Sequence, residues 1–154
     1  LAMGKEKKEK RCRKIFEEYY QNTELKDLIA PPTYTALYEY FDLYTSFITT
    51  PNSPIRIAME LKFRPEEDHD KYPSIMLEVK KRYNALQTSD AKYLYYCTMF
   101  RDGYAAIVNI SQVSPTWERK WMKCQKDSNT DELVYKEVFL IPNNEVKWFK
   151  LNEQ

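Results

Sequence analysis

Cysteine is scarce in this sequence, and its placement excludes two kinds of site. Cys12, Cys97 and Cys124 are odd in number, and no two of them have the Cys-x-x-Cys spacing. A disulfide framework and a zinc ribbon are therefore both unsupported. We expect reduced, intracellular thiols.

Long apolar runs are also missing. No stretch approaches the roughly 20 apolar residues that span a bilayer, and the N-terminus lacks the apolar segment of a signal peptide. The sequence therefore predicts a soluble, cytoplasmic protein without membrane contact. Residues 1–4 include Met3 as a plausible start and are set aside as a remnant or disordered start, which leaves residues 5–154 as a single domain.

The sequence also contains little glycine and has almost no net charge. Glycine occurs twice, whereas aromatic residues make up 15% of the chain and tyrosine alone occurs 13 times. This composition predicts a core of aromatic-rich helices and sheets rather than low-complexity disorder. The net charge of +1, from 24 basic and 23 acidic side chains, argues against a strongly basic protein that wraps nucleic acid, but it allows a local basic face.

Periodicity predicts the elements of the first half of the chain. Good helix formers occupy residues 5–21, and a shorter helix is predicted over residues 24–29. Residues 34–49 fit helical and alternating patterns equally well, but their Tyr, Phe, Thr and Ile content favours strands. Turn formers at residues 51–54 then predict a hairpin that pairs this segment with a strand over residues 55–63.

The second half is predicted to contain one helix and two further hairpins. Pro73 could begin a helix whose apolar face contains Ile75, Val79, Tyr83 and Leu86. Asp102-Gly103 predicts a hairpin between residues 92–100 and 104–110, and Pro142-Asn143-Asn144 predicts a C-terminal hairpin between residues 133–141 and 145–151. The order helix, strands, helix, strands indicates an α/β protein of the α+β type with a mixed sheet.

The strand over residues 55–63 carries the residues best suited to chemistry. Its odd-numbered side chains are apolar, which leaves Glu60 and Lys62 together on the other face. A carboxylate can hold Mg²⁺ or Mn²⁺, and a lysine can orient or deprotonate water and steady a developing negative charge, as phosphodiester hydrolysis requires. The predicted hairpin would bring Asp42 beside Glu60 as a second ligand.

An acid on one strand, a turn, and then Glu-x-Lys at the end of the next strand, before a helix and further strands, resembles the PD-(D/E)xK nuclease superfamily. The resemblance extends over residues 5–110. It implies a restriction-endonuclease-like core of helix, three strands, helix and strands, with a DNA or RNA substrate. By resemblance, Asp42 and Glu60 would hold the metal, Lys62 would act at the water, and Glu17 or Glu18 of the first helix would complete the site.

Other features have alternative interpretations. Arg11, Arg13 and Lys14 could contact phosphates, or the basic stretch could be a solvated helix end. His69, among acids at residues 66–70, could bind a cation as a runner-up site but is interpreted as part of a solvated loop. A second Glu-x-Lys at Glu78 falls within the predicted helix and is interpreted as solvated surface.

The three tryptophans, Trp117, Trp121 and Trp148, are interpreted as core or interface residues rather than as stacking partners of bases.

Two functional hypotheses remain open. The leading one is a metal-dependent nuclease that uses Mg²⁺ or Mn²⁺. The alternative is a non-catalytic protein-binding or assembly module, including a degenerate nuclease fold, that meets a protein partner or a second copy through aromatic surface and strand edges.

Overall fold

A computed structural model describes residues 4–49, 52, 54–127 and 130–151 of the chain. Its helices are α1 (Lys5–Asn22) and α2 (Val79–Thr88), with short 3-10 helices at Glu24–Asp27 and Asn143–Glu145. Its strands are β1 (Thr33–Tyr34), β2 (Leu43–Ser46), β3 (Arg56–Arg64), β4 (Ser74–Glu78), β5 (Tyr93–Phe100), β6 (Tyr104–Asn109), β7 (Glu118–Gln125), β8 (Leu133–Pro142) and β9 (Lys147–Lys150).

The strands form two sheets. The main sheet has six strands in the order β1-β2-β3-β5-β6-β9, and the small sheet has three in the order β4-β8-β7. Every neighbouring pair is antiparallel except β3 and β5, which are parallel. A parallel pair needs a crossover connection, which β4 and α2 supply here. The predicted mixed α+β class with a mixed sheet is confirmed.

Helix α1 covers one face of the main sheet. Its sequence contains no Gly or Pro, and Phe16 and Tyr19 are buried three residues apart on one side. They pack in one core cluster with Ile57, Met59 and Leu61, which alternate along β3. Full burial of an apolar side chain of this size stabilises a fold by about 1.5 to 3 kcal/mol, so this cluster holds helix and sheet together.

The opposite face of the main sheet is covered by α2 and the small sheet. Ala58 of β3 and Leu94 of β5 belong to a second buried cluster, together with Leu77 of β4, Ala85 of α2 and Phe139 of β8. The even-numbered side chains of β3 thus point towards the small sheet. Glu60, Lys62 and Arg64 continue this face beyond Ala58.

The predicted helix at Pro73 is wrong in its first part. Ser74–Glu78 forms strand β4, which pairs with β8, and the helix begins only at Val79. Ile75 and Leu77 alternate into the core, and pairing with a distant strand overrides their helical spacing to later residues. Tyr83, expected on the apolar face, is 60% exposed.

The predicted C-terminal hairpin is also wrong. Strand β8 pairs with β4 and β7 in the small sheet, whereas β9 pairs with β6 in the main sheet. The short 3-10 helix Asn143–Glu145 carries the chain from one sheet to the other. Strand β7 was not predicted, because its largely exposed and charged residues do not alternate in the way that marks a half-buried strand.

Elsewhere, predictions made from local sequence signals agree with the structure in whole or in part. Strands β5 and β6 form the predicted hairpin, with Gly103 at a φ of 84° that glycine adopts without strain. The segment 34–49 pairs with β3 as predicted, but its strands are limited to Thr33–Tyr34 and Leu43–Ser46. The predicted turn at residues 51–54 lies partly outside the described residues, as do residues 1–3. Among the described residues, no helix is long and apolar enough to cross a membrane.

Candidate functional site

The structure brings Asp42 and Glu60 together. Asp42 immediately precedes β2, whose first residue, Leu43, pairs with Met59, the neighbour of Glu60 along β3. The backbone N–H of Asp42 donates to the Met59 carbonyl at 2.9 Å, and the backbone N–H of Leu61 donates to Asp42 Oδ2 at 2.8 Å. Leu61 follows Glu60 directly, and the charge of Asp42 contributes to raising the pKa of Glu60, so the two carboxylates are neighbours.

These acids line a groove between the two layers of the fold. We use "the groove" for the cavity of about 1380 Å³ bounded by the first half of α1, the end of β3, α2 and the β7–β8 pair. Asp42, Glu60, Lys62 and Arg64 all line it.

One oxygen of the Glu60 carboxylate, Oε2, is buried without a hydrogen-bond partner among the described residues. Burial raises the pKa of Glu60 to about 7, although nearby Lys81 acts in the opposite direction. A buried carboxylate in this state can be satisfied by a proton or by a cation.

The pKa of Lys62 is shifted in the opposite direction from that of Glu60. Burial, followed by repulsion from Lys81 and Arg64, lowers the pKa of Lys62 to about 8. Its amine therefore loses a proton far more readily than an ordinary lysine. A lysine with this property can act as a general base near neutral pH.

Asp42 is held by an internal hydrogen-bond network. Arg13 of α1 lies with Nε and Nη2 both 3.5 Å from Asp42 Oδ1, and its Nη1 donates to the Thr35 carbonyl at 2.7 Å. Burial raises the pKa of Asp42, while the N–H of Leu61 and the charge of Arg13 oppose that rise. Arg13, predicted to contact nucleic acid, is thus engaged inside the protein.

Glu78 differs from its predicted role as solvated helix surface. It is the last residue of β4, and its side chain is only 18% exposed. Its Oε2 lies 3.2 Å from Lys81 Nζ and its Oε1 lies 2.9 Å from Lys136 Nζ. Burial alone would raise the pKa of Glu78, but these two lysines lower it overall.

A small cavity connects the two glutamates. It has a volume of about 30 Å³, which is enough for a water molecule, and Glu60, Lys62, Glu78, Lys81 and Tyr96 are among its lining residues. Lys81 is half exposed, and its charge is shared between Glu60 and Glu78. For Lys81, burial lowers the pKa, but these two acids raise it overall.

The donors at Asp42 and Glu60 fit a hard divalent cation. Carboxylate oxygens are the ligands that Mg²⁺ and Mn²⁺ prefer. The unpartnered Oε2 of Glu60 has the property expected of an atom that binds a cation. Cys12 also lines the groove, but burial raises the pKa of its thiol to about 11, so a cysteine nucleophile is not favoured there.

The glutamates predicted on the first helix lie elsewhere. Glu17 Oε1 accepts a hydrogen bond from the Tyr34 hydroxyl at 2.5 Å, Glu18 is exposed, and neither lines the groove. The α1 acid that does line the groove is Glu9, whose Oε2 accepts the backbone N–H of Tyr38 at 2.9 Å. Its spacing of four residues from Arg13 was the signal that could have identified it.

Among the other basic residues of α1, Arg11 and Lys8 line the groove and Lys14 does not. Arg11 lines the groove with its guanidinium 4.7 Å from the centre of the Phe63 ring. Lys14 is exposed outside the groove. Lys8 also lines the groove, and its Nζ donates to Gln125 Oε1 of β7 at 3.3 Å. Nucleic-acid contacts by Arg11 and Lys14 stay predictions.

His69 belongs to a separate cluster. Its Nδ1 lies 2.6 Å from Asp102 Oδ2, and its ring stacks on Tyr104 at a centroid distance of 3.6 Å. With Asp70 and Asp102 it offers three ligand atoms within 4.8 Å of one another. The ring stacking and the contact with Asp102 give His69 a structural role at the β5–β6 turn.

Comparison of the chain with models of known protein families, with curated proteins and with solved structures finds no match in any of the three. The function is therefore inferred from the residues of this chain.

Proposed function

We propose that the protein is a metal-dependent nuclease of restriction-endonuclease-like fold that hydrolyses nucleic-acid phosphodiester bonds with Mg²⁺ or Mn²⁺. One observation carries the proposal: Asp42, bonded through its Oδ2 to the N–H of Leu61, lies beside Glu60, and both acids line one groove together with Lys62. This arrangement supplies two oxygen ligands and a base at one place.

The element order supports the proposed fold. From the N-terminus the chain forms α1, the antiparallel strands β1 to β3, and, after β4, α2 followed by β5 parallel to β3. This order supports the helix, three strands, helix and strand that the resemblance implies, and β4 is an additional strand. Asp42 lies just before β2, and Glu60 and Lys62 lie near the end of β3.

The proposed chemistry divides among three side chains. Asp42 and Glu60 would hold the cation, which when bound supplies a Lewis acid and lowers the pKa of water. Lys62 takes the proton of the attacking water on Nζ as the water oxygen forms a bond to phosphorus. The bond from phosphorus to the leaving ester oxygen breaks, and that oxygen takes a proton from solvent.

The test is cleavage of panels of DNA and RNA substrates with Mn²⁺, with Mg²⁺ and with a chelator. We expect cleavage that requires the metal and that is lost in Glu60→Gln and in Lys62→Met. The matched control is Glu18→Gln, an exposed glutamate outside the groove, which should cleave normally. Cleavage without metal, or no cleavage of any substrate, would refute the proposal.

The non-catalytic module is the second candidate, and one observation favours it. Arg13 already lies 3.5 Å from Asp42, so Asp42 has a structural partner without any metal. Calorimetric titration with Mn²⁺ separates the two functions. The nuclease requires heat of binding that Glu60→Gln abolishes, whereas the module gives no heat at this site.

A further inference from the structure

Exposed aromatic side chains are concentrated in the groove. The described residues with exposed aromatic rings are Tyr38, Tyr40, Tyr72, Tyr83, Trp121 and Tyr135. Of these six, four line the groove: Tyr40, Tyr83, Trp121 and Tyr135. Exposed aromatic rings that gather in one concave surface indicate a binding site more strongly than scattered exposed rings do.

Trp121 and Tyr135 lie on one face of the β7–β8 pair. Trp121 is opposite Glu137 and Lys123 is opposite Tyr135, so the two rings are diagonal neighbours. They are 65% and 69% exposed. Neither packs against another ring among the described residues, and their exposure leaves ring surface available to a planar ligand.

Basic side chains from the two helices line the same groove. Lys8 and Arg11 come from α1, and Lys80 comes from α2. In the described part of the chain, no carboxylate lies within ion-pair distance of any of the three. Their charges are complementary to a phosphodiester backbone.

We propose that the groove binds single-stranded nucleic acid, with unpaired bases stacked on Trp121 and Tyr135 and with phosphates near Lys8, Arg11 and Lys80. This inference rests on the proposed nuclease function and names its substrate class. Aromatic side chains beside basic residues are the usual means of holding single strands. In a duplex the bases already stack on one another, so they cannot cover rings on a sheet face.

Binding is measured by fluorescence anisotropy in the presence of a chelator, so that no metal-dependent cleavage occurs. The probes are labelled 15-nucleotide oligothymidine, oligouridine of the same length, an abasic oligomer with the same phosphates, and a blunt duplex. Both single strands should bind more tightly than the duplex and the abasic oligomer. Trp121→Ala and Tyr135→Ala should each weaken single-strand binding about tenfold, because each removes one base-stacking contact.

Matched variants make the result specific. Trp121→Phe keeps a ring and should retain most of the affinity, and Tyr72→Ala removes an exposed aromatic ring outside the groove and should have no effect. Equal affinity for the abasic oligomer, equal affinity for the duplex, or unchanged binding by Trp121→Ala would each overturn the inference. A difference in affinity between oligothymidine and oligouridine shows which of these two strands, the DNA or the RNA, the groove binds more tightly.

The two proposals fail in different ways. If metal-dependent cleavage is present but Trp121→Ala binds single strands normally, the substrate inference is wrong and the nuclease function stands. If Trp121→Ala weakens binding but no substrate is cleaved, the stacking surface is correct and the catalytic function is wrong.

Discussion

Two Glu-x-Lys tripeptides of the chain have their glutamates at the same groove, with opposite electrostatics. Glu78, at the end of β4, has Lys81 and Lys136 as partners, and these lower its pKa. Glu60, on β3, has a buried oxygen without a hydrogen-bond partner among the described residues, and its pKa is raised to about 7. The glutamate carboxylate is thus ion-paired in one tripeptide, whereas in the other it has an oxygen without a hydrogen-bond partner in the described part of the chain.

The difference indicates which acid is available for a ligand. A carboxylate paired with two lysines gains little from a cation, because the cation must compete with the existing charges. A carboxylate without a partner gains the full benefit, because the cation replaces a lost interaction with water. The unsatisfied state of Glu60 therefore favours a binding role, whereas Glu78 is an ion-paired structural group.

The largest expected effect is on metal affinity. Glu60→Gln should lower the affinity for Mn²⁺ by at least about 100-fold, because it removes a direct ligand, and loss of even an outer-shell group costs about 10- to 100-fold. Glu78→Gln, the matched variant in the other tripeptide, should retain Mn²⁺ binding. Calorimetric titration measures both. Equal losses of affinity in the two variants would remove the distinction between the glutamates.

The next effect concerns stability as a function of pH without metal. In the unfolded chain Glu60 titrates near 4.5, and in the folded protein near 7. The folded state therefore favours the protonated acid, so the free energy of unfolding is greatest below the unfolded pKa and falls as the pH rises through 7. The loss is at most about 3.5 kcal/mol, since one pKa unit corresponds to about 1.4 kcal/mol.

Urea unfolding between about pH 5 and about pH 8 measures this dependence, and Glu60→Gln removes the titration. The difference between wild type and Glu60→Gln should therefore grow with pH. For Glu78→Gln the difference should have the opposite sign, because the pKa of Glu78 is lowered and its ion pairs stabilise the fold above its unfolded pKa. A difference for Glu60→Gln that is constant with pH would contradict the raised pKa.

The site was predictable where its signals are local. The alternation along β3 placed Glu60 and Lys62 on one face, and the short connection to β2 predicted that Asp42 lies beside Glu60. The role of Glu78 was not predictable in this way, because Ser74–Glu78 is a strand only through its pairing with β8, and Lys136 is 58 residues further along the chain. Contacts between distant parts of the chain therefore determine both the strand β4 and the ion pair of Glu78 with Lys136.

The first helix shows a second limit of sequence reasoning. Its helical identity was clear, but the residues that face the groove depend on how α1 packs across the main sheet. The resemblance indicated a glutamate on this helix, yet packing brings Glu9 to the groove and leaves Glu17 bonded to Tyr34. The exposure of Trp121 likewise follows from the position of β7 at the edge of the small sheet.

A smaller effect is expected at the lysine between the two glutamates. Lys81→Met should raise the pKa of Glu60 further, by about half a unit, because a nearby positive charge favours the carboxylate but solvent screens this half-exposed lysine. Carboxyl-carbon NMR titration measures the shift. Lys80→Met, one residue earlier, is the matched control and should leave the pKa of Glu60 unchanged. A shift of equal size in both variants would show a general charge effect rather than a specific one.

The smallest effect is expected at the exposed cluster around His69, which tests whether an alternative cation site accounts for any metal binding. Asp102→Asn removes the partner of His69 Nδ1, and side-chain exposures of 26% and 24% limit the loss of stability to about 1 kcal/mol. Mn²⁺ affinity and metal-dependent cleavage should not change. The measurements are calorimetric titration and urea unfolding of the variant. If Asp102→Asn abolished Mn²⁺ binding while Glu60→Gln retained it, the cation would bind at the β5–β6 turn, and the unpartnered oxygen of Glu60 would need another explanation.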